Sequence, residues 1–177
     1  MSRGLLLTMT EPPRAMEEEF NAWYDGEHLP ERLAIPGFRS ARRWVADIAP
    51  GEGKYLATYE LDSPAVLSSA PYLARFESAT PWTLRCLGKA VVFKRWACAQ
   101  THPGEGEPHP MARALLLVAS DAPVDELALP GALQVRHFLA SAGTPRHIVL
   151  AELAWEGAQL AAVPRGVLMR LYRAYVA

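Results

Sequence analysis

The feature that most constrains this chain is a repeat, because its second half follows, segment by segment, a pattern already present in its first half. In both halves, an apolar stretch that begins with arginine ends at an acidic residue, and proline comes within two residues of it. A Pro-Gly pair lies further along, and two more apolar stretches follow that pair. The matching segments are residues 3–13 and 113–123, 35–37 and 129–131, 55–61 and 147–153, and 91–96 and 167–172. Self-similarity on this scale indicates an internal duplication. The fold must therefore be one that two copies of a single unit can build.

The first half defines that unit most clearly. Apolar residues that alternate with polar ones, or that fill a short run, predict strands at residues 3–10, 38–47, 55–61 and 89–100. One helical pattern lies between the first two strands, and a second begins near Pro64 between the last two. The order strand, helix, strand, strand, helix, strand is the ferredoxin-like pattern, so the fold class is predicted to be α+β.

A polar segment separates the two copies. Residues 101–110 are rich in proline and glycine and contain no large apolar residue, which is typical of a linker. We therefore predict one repeat at residues 1–100, a linker at residues 101–110 and a degenerate repeat at residues 111–177.

The second repeat has shortened helices. Only residues 124–128 stand where the first repeat has its first helix, and the second helix is reduced to residues 155–163. A sheet face that helices cover poorly leaves apolar surface that something else must hide. The linker, a chain terminus or a second molecule could cover it, and a homodimer of the duplicated chain is one expectation.

The first helix carries the most informative residues. Tyr24 and His28 are four residues apart on one flank of the helix, so a phenol and an imidazole can reach one small region. Pro30 is expected to kink or stop the helix within a residue or two of His28, and a helix C-terminus there would favour the cationic imidazole. The neighbouring stripe, expected to be buried, consists of Met16, Phe20, Trp23 and Glu27.

This helix and the turn that follows it resemble the dimeric α+β-barrel superfamily of ferredoxin-like proteins, and within it the EthD-like proteins. The residues that carry the resemblance are Trp23, Tyr24, His28, Pro30, Pro36 and Gly37. In that superfamily, single ferredoxin-like chains pair their sheets into a shared barrel with the helices outside. The resemblance implies that this chain forms the same barrel from its own two tandem ferredoxin-like βαββαβ repeats. Members of the superfamily include isomerases, cyclases, decarboxylases and monooxygenases, as well as proteins without a known activity.

The resemblance and the residue chemistry together suggest a cofactor-independent enzyme. In this hypothesis His28 is the general acid and base, Tyr24 positions the substrate or donates to an oxyanion, and no cofactor takes part. The substrate would be a small apolar, aromatic, lactone or polyketide-like molecule, held in a cavity of more than a few water molecules beside His28. The residues expected to line that cavity are Trp44, Tyr59, Trp82 and Trp96.

Two other interpretations stay open at this point. His28 could brace the bend at Pro30 through a backbone hydrogen bond, and the aromatic side chains could be ordinary core. The chain would then be a non-catalytic small-molecule-binding protein or a structural barrel. Turnover that is lost in a His28→Ala variant would favour the enzyme, whereas a filled cavity would favour the structural barrel.

Composition argues against a protein that binds nucleic acid, spans or binds a membrane, or holds a metal. The formal net charge is −1, which gives no broad field to attract nucleic acid or an anionic membrane. No apolar run approaches the length needed to span a bilayer. The two cysteines, Cys86 and Cys98, form neither a metal-ligand spacing nor a dense disulfide framework, so we predict no metal and a reducing cytoplasm.

Overall fold

The structure is a computed structural model that describes residues 2–124, 129, 131–155 and 166–176. The described residues form eight strands, most of them close to their predicted positions. The strands are β1 (Gly4–Glu11), β2 (Phe38–Val45), β3 (Tyr55–Leu61), β4 (Val92–His102), β5 (Ala114–Ser120), β6 (Ala132–Ala142), β7 (His147–Leu153) and β8 (Leu168–Ala174).

The eight strands close into an antiparallel barrel in the order β1-β3-β2-β8-β5-β7-β6-β4. The first half contributes β4-β1-β3-β2 and the second contributes β8-β5-β7-β6, so both halves have the same ferredoxin-like strand order. The halves meet where β2 pairs with β8 and where β4 pairs with β6. The predicted α+β barrel, built within one chain, is confirmed.

Alternation along each strand separates an inner face from an outer face. Leu5, Leu7 and Met9 of β1 point into the barrel, whereas Leu6, Thr8 and Thr10 point outward. The barrel is packed with large side chains from both halves. Prominent among the buried interior residues are Trp44, Leu56, Trp96, Leu117, Phe138, Leu150 and Tyr172.

One buried ion cluster ties the two halves together inside the barrel. Arg136 of β6 donates to Glu60 of β3 at 2.9 and 3.0 Å and to Glu152 of β7 at 2.8 and 3.1 Å. Burial raises the pKa of Glu60, while the Arg136 guanidinium acts in the opposite direction. Arg136 offsets the negative charge of both buried carboxylates, so this cluster links the two halves by ion pairs as well as by packing.

Helices cover the outer face of the first half. They are α1 (Glu17–Trp23), α2 (Leu29–Leu33), α3 (Ala70–Glu77) and α4 (Pro81–Gly88). The hydroxyl of Ser69 caps α3 by accepting from Tyr72 N, and that of Thr80 caps α4 by accepting from Thr83 N. The buried residues in this layer are Leu6, Phe20, Trp23, Tyr24, Ile35, Phe38, Val45, Tyr55, Ala57, Tyr59, Leu61, Tyr72 and Cys86.

The outer face of the second half is also buried within the chain. Ala114, Leu116 and Val118 of β5 form one cluster with Val149 and Ala151 of β7, and all five side chains are almost inaccessible. The two shortened helices predicted at residues 124–128 and 155–163 fall almost wholly outside the described residues. The predicted homodimer stays a prediction.

The predicted linker begins inside a strand, because β4 continues to His102. Residues 103–113 then join β4 to β5 without a helix or strand. No helix among the described residues is long and apolar enough to cross a membrane.

Candidate functional site

A widened helical turn brings the key side chains together. Residues Tyr24–His28 form a π-helical turn that connects α1 to α2. In an α-helix, residues five apart face different directions, but here the rings of Trp23 and His28 are in contact, with their centroids 4.4 Å apart and their planes inclined by 35°. The helix was predicted to kink or stop near Pro30. It does not stop there, because the π-helical turn precedes the proline and α2 then continues to Leu33.

Trp23 is fixed from the far side of this stack. Its indole N–H is shared between Glu27 and Thr83, each 3.1 Å away. Glu27 also accepts from Thr80 at 2.6 Å, so the residues that start α4 hold the end of α1. The indole ring that contacts His28 is therefore held in place by hydrogen bonds to its N–H.

Tyr24 belongs to a chain of buried hydroxyls. Tyr59 on the outer face of β3 donates to the Tyr24 oxygen at 3.0 Å, and the Tyr24 oxygen lies 3.3 Å from Thr8 Oγ1. Burial, followed by the neighbouring Tyr24, raises the pKa of Tyr59 well above its ordinary value, so Tyr59 keeps its proton and acts as the donor. The Tyr24 proton is then directed toward Thr8 or toward a ligand beside it.

Arg43 supports this arrangement from the other side. Its guanidinium donates to Asp25 at 2.7 Å and to Asn21 at 2.5 Å. The guanidinium carbon lies 4.4 Å from the centre of the Tyr24 ring and 4.0 Å from that of Tyr175. Asp25 is thus engaged by Arg43 and is not a partner of His28.

His28 is buried and neutral. Only 8% of its surface is exposed, and its Nδ1 has no hydrogen-bond partner. Burial lowers its pKa to about 3, and the positive charges of Arg32 and Arg43 contribute in the same direction. The expected cationic imidazole is therefore wrong, because burial and the two arginines disfavour it and the helix does not end at His28 but continues to Leu33.

A small cavity adjoins these side chains. It measures about 40 Å³, which is room for only a few water molecules, so the predicted cavity of more than a few water molecules is wrong. Phe76 and Phe93, each about half exposed, form part of its rim. Because the cavity is smaller than an aromatic ring, side chains that line it must move before such a ring can enter. The cavity is lined by Leu6, Thr8, Thr10, Tyr24, His28, Arg32, Tyr59, Tyr72, Phe76, Leu87, Phe93 and Arg95.

The structure brings together three of the six predicted site residues. His28, Tyr24 and Tyr59 share the cavity, with ring centroids 5.0 Å apart for Tyr24 and His28 and 6.4 Å apart for His28 and Tyr59.

The three predicted tryptophans lie elsewhere. Trp44 and Trp96 are packed inside the barrel, where their indole N–H groups donate to Thr58 Oγ1 at 3.1 Å and to the Pro145 carbonyl at 3.0 Å. Trp82 is half-buried on α4 and packs against the outer layer. These three residues are not among those that line the cavity.

Sequence reasoning missed Arg32, Tyr72 and Arg95. Arg32 follows His28 by four residues, so helical spacing alone could have placed it beside the imidazole. Tyr72 and Arg95 come from α3 and β4, and Arg95 donates to the Tyr72 hydroxyl at 3.0 Å. No local pattern in the sequence joins those two residues to the first helix.

Other candidate chemistry is weaker. Cys86 and Cys98 are unpaired and buried, and burial raises their pKa values to about 11 and about 12, which disfavours the reactive thiolate. Within the part of the chain that the structure describes, no group of three His, Cys, Asp or Glu side chains is placed to hold a metal ion.

No family model matches the sequence, and no curated protein sequence matches it significantly. Among solved structures, the fold is similar to that of an anthrone oxidase-like protein, with a TM-score of 0.62 and 11% identity over 99% of this chain and 92% of that chain. It is also similar to a putative chlorite dismutase, with a TM-score of 0.53 and 10% identity over 99% of this chain and 96% of that chain. Both findings support the predicted α+β-barrel relationship at the level of the fold, while the narrower EthD-like relationship is not confirmed.

Proposed function

We propose that this chain is a cofactor-independent enzyme that moves a proton on a small aromatic or polyketide-like molecule, with His28 as the base and Tyr24 as the hydrogen-bond donor. The observation that carries the proposal is the shared cavity of a neutral imidazole and a tyrosine whose proton is directed by Tyr59. An unprotonated imidazole can accept a proton at neutral pH, which a cationic one cannot.

The chemistry follows from the charges around the cavity. When a C–H conjugated with a carbonyl, or a phenolic O–H, loses its proton to His28, the substrate becomes an oxyanion (an enolate or a phenolate) and the imidazole becomes a cation. Tyr24 can donate to that oxyanion, and the oxyanion offsets the positive charges of Arg32 and Arg43, which add to burial in lowering the pKa of His28. The proton transfer thus becomes more favourable as the negative charge develops on the substrate.

Anthrone is a suitable first substrate, because one protein with a similar fold is described as anthrone oxidase-like. Anthrone has an acidic C–H beside aromatic rings, and its enolate absorbs differently from the neutral molecule. Enolate formation and oxygen consumption are measured for the wild type, His28→Gln and Tyr24→Phe. We expect His28→Gln to lower the rate by about 100-fold or more, and Tyr24→Phe to lower it by about tenfold or more.

Arg85→Gln serves as the matched control, because Arg85 lies on α4, pairs with Glu19 and is largely exposed. It should leave the rate unchanged. Equal rates for the wild type and His28→Gln would contradict the proposal.

A non-catalytic binding protein is the second candidate. It is favoured by the low pKa of His28, since an imidazole with a pKa of about 3 is a weak base before a ligand binds. Binding of anthrone that raises the melting temperature equally in the wild type and His28→Gln, without turnover in either, would support this role instead.

A further inference from the structure

Arg32 carries a buried positive charge with no acid beside it. The residue is 8% exposed, and its Nη1 is buried without a hydrogen-bond partner. Its guanidinium carbon lies 5.5 Å from the ring centres of both Tyr72 and Phe76 on α3. Two aromatic faces at that distance compensate only part of the lost hydration of a buried cation.

The other two buried arginines among the described residues, Arg43 and Arg136, have carboxylate partners, and so does the more exposed Arg75. Arg43 pairs with Asp25, Arg75 with Glu31, and Arg136 with Glu60 and Glu152. Glu31 is the residue next to Arg32 in the chain, yet it pairs with Arg75. Within the described part of the chain, Arg32 therefore stands out as a buried arginine without an ion pair.

The cavity into which Arg32 faces is rich in donors. The described residues that line it include Arg32 and the half-buried Arg95, and they include no carboxylate. The imidazole of His28 and the hydroxyl groups of two threonines and three tyrosines complete the polar part of the lining, which consists of Thr8, Thr10, Tyr24, His28, Tyr59 and Tyr72 beside the two arginines. A group with negative charge satisfies such a set, whereas a neutral group leaves the buried cation uncompensated.

The apolar part of the lining defines the rest of the ligand. Phe76 and Phe93 stand at the rim, and Leu6 and Leu87 complete the apolar lining. Phe76 is also one of the two rings against Arg32. A flat ring can therefore pack against Phe76 while its substituent reaches the guanidinium.

We infer that this cavity selects an aromatic molecule that bears an ionised oxygen acid, a carboxylate or an acidic phenol, and that Arg32 is the residue that binds the charge. This inference rests on the proposed function, because it assigns a substrate class to the same cavity; anthrone belongs to that class only as its enolate, the anion that the proton transfer forms. It adds a specificity-determining residue that takes no part in proton transfer. Arg95 assists by holding the Tyr72 hydroxyl at the side of the cavity.

The test compares two probes of nearly the same shape. Benzoate carries the charge and benzamide does not, and the binding of each is measured by isothermal titration calorimetry at neutral pH. We expect benzoate to bind at least about tenfold more tightly than benzamide. Arg32→Met should weaken benzoate binding by about 10- to 100-fold and should leave benzamide binding nearly unchanged. Arg85→Met is the control and should change neither.

A second probe separates the two kinds of acid. 4-Nitrophenol titrates near neutral pH, and its ionised form absorbs visible light. If phenolates are accepted, the protein should increase the ionised fraction below the pKa of the probe, and Arg32→Met should abolish that increase. If only benzoate responds, the selected acid is a carboxylate.

Stability provides a readout that is independent of any ligand. An arginine buried for structural reasons destabilises the fold when it is truncated, whereas one buried to bind an anion does not. Arg32→Met should therefore melt at or above the wild-type temperature without a ligand. A clearly lower melting temperature, or benzoate and benzamide binding that Arg32→Met does not alter, would overturn the inference.

The inference and the proposed function fail in different ways. If His28→Gln removes turnover while benzoate shows no preference over benzamide, the proposed function stands and the selection of an anion by Arg32 is wrong. If benzoate binds through Arg32 but His28→Gln does not alter turnover, the anion site stands and the proton-transfer proposal is wrong.

Discussion

The two outer faces of the barrel have the same strand order but differ in chemistry. Thr8 of β1 is equivalent to Val118 of β5 in the repeat. Tyr59 of β3, which pairs with Leu6, is equivalent to Ala151 of β7, which pairs with Leu116. In the first half Thr8 is paired with Arg95, whereas in the second half Val118 is paired with Met169. Three polar positions in one half thus correspond to three apolar positions in the other.

This comparison separates what the barrel needs from what the site needs. The second half shows that this sheet can bury an outer face made of alanine, valine and leucine. The hydroxyl chain of Tyr59, Tyr24 and Thr8 is therefore not required by the strand order. Buried polar groups that a fold does not require indicate a functional site, because each one costs free energy to desolvate.

The largest effect is expected where the two halves are joined. Arg136→Ala leaves Glu60 and Glu152 buried without their common partner, so we expect a loss of about 3–5 kcal/mol of unfolding free energy in urea denaturation. The exposed pair of Arg85 and Glu19 provides the control, and Arg85→Ala should cost less than about 1 kcal/mol. Equal losses in the two variants would mean that the interior cluster does not couple the halves.

The next effect concerns His28 and pH. Its pKa is about 3 in the folded chain and about 6.5 when unfolded, so the unfolded state binds the extra proton first as pH falls. The wild type is therefore fully stable with respect to this group above pH 6.5 and loses stability between pH 6.5 and pH 3.

A His28→Gln variant has no such group. The difference in unfolding free energy between the two proteins should change by roughly 3 kcal/mol between pH 7 and pH 4, with the wild type losing more. Parallel stability curves for the two proteins would show that His28 titrates normally.

A reciprocal exchange tests the two outer faces directly. Thr8→Val gives the first half the residue of the second, removes a partner of Tyr24 and should cost about 1 kcal/mol. Val118→Thr puts a hydroxyl among apolar neighbours and should cost about 1–3 kcal/mol. Thermal and urea unfolding measure both losses. If Val118→Thr does not change the unfolding free energy, the second outer face tolerates a hydroxyl and the proposed difference between the two faces is wrong.

The smallest expected effect is on thiol reactivity. Burial raises the pKa of both cysteines, so iodoacetamide at pH 8 should label neither quickly in the native protein. Cys86 is on the buried face of α4 and Cys98 lies inside the barrel, so local opening of that helix should expose Cys86 first. Intact-mass spectrometry gives the order of labelling. Faster labelling of Cys98 would contradict this expectation, because it would mean that the barrel interior opens more readily than α4.

Much of the scaffold could be predicted from the sequence. Alternating apolar residues located the strands, and β3 and β7 have the bounds that the repeat predicted. The last strand of each half is less regular. The sequence repeat aligned Trp96 with Tyr172. In the structure, Trp96 pairs with Leu7 of β1 whereas Arg170 pairs with the equivalent Leu117 of β5, so the true alignment differs by two residues. A shift of two residues keeps every side chain on the same face of its strand.

The site was only partly predictable. Spacing of four residues placed Tyr24 and His28 together correctly. The protonation state of His28 depends on burial and on two arginines, and Arg43 lies in a strand that no local pattern links to the helix. The π-helical turn was also missed, because helical periodicity assumes one regular spacing and cannot indicate where a turn widens.

The most direct measurement of the central claim is ¹⁵N NMR titration of the His28 imidazole, with and without benzoate. We expect a neutral ring at every pH above about 4 in the ligand-free protein, and a raised pKa when benzoate is bound, with no such change in Arg32→Met. An imidazole that titrates near 6.5 and does not respond to benzoate would contradict a functional site on the outer face of the first half.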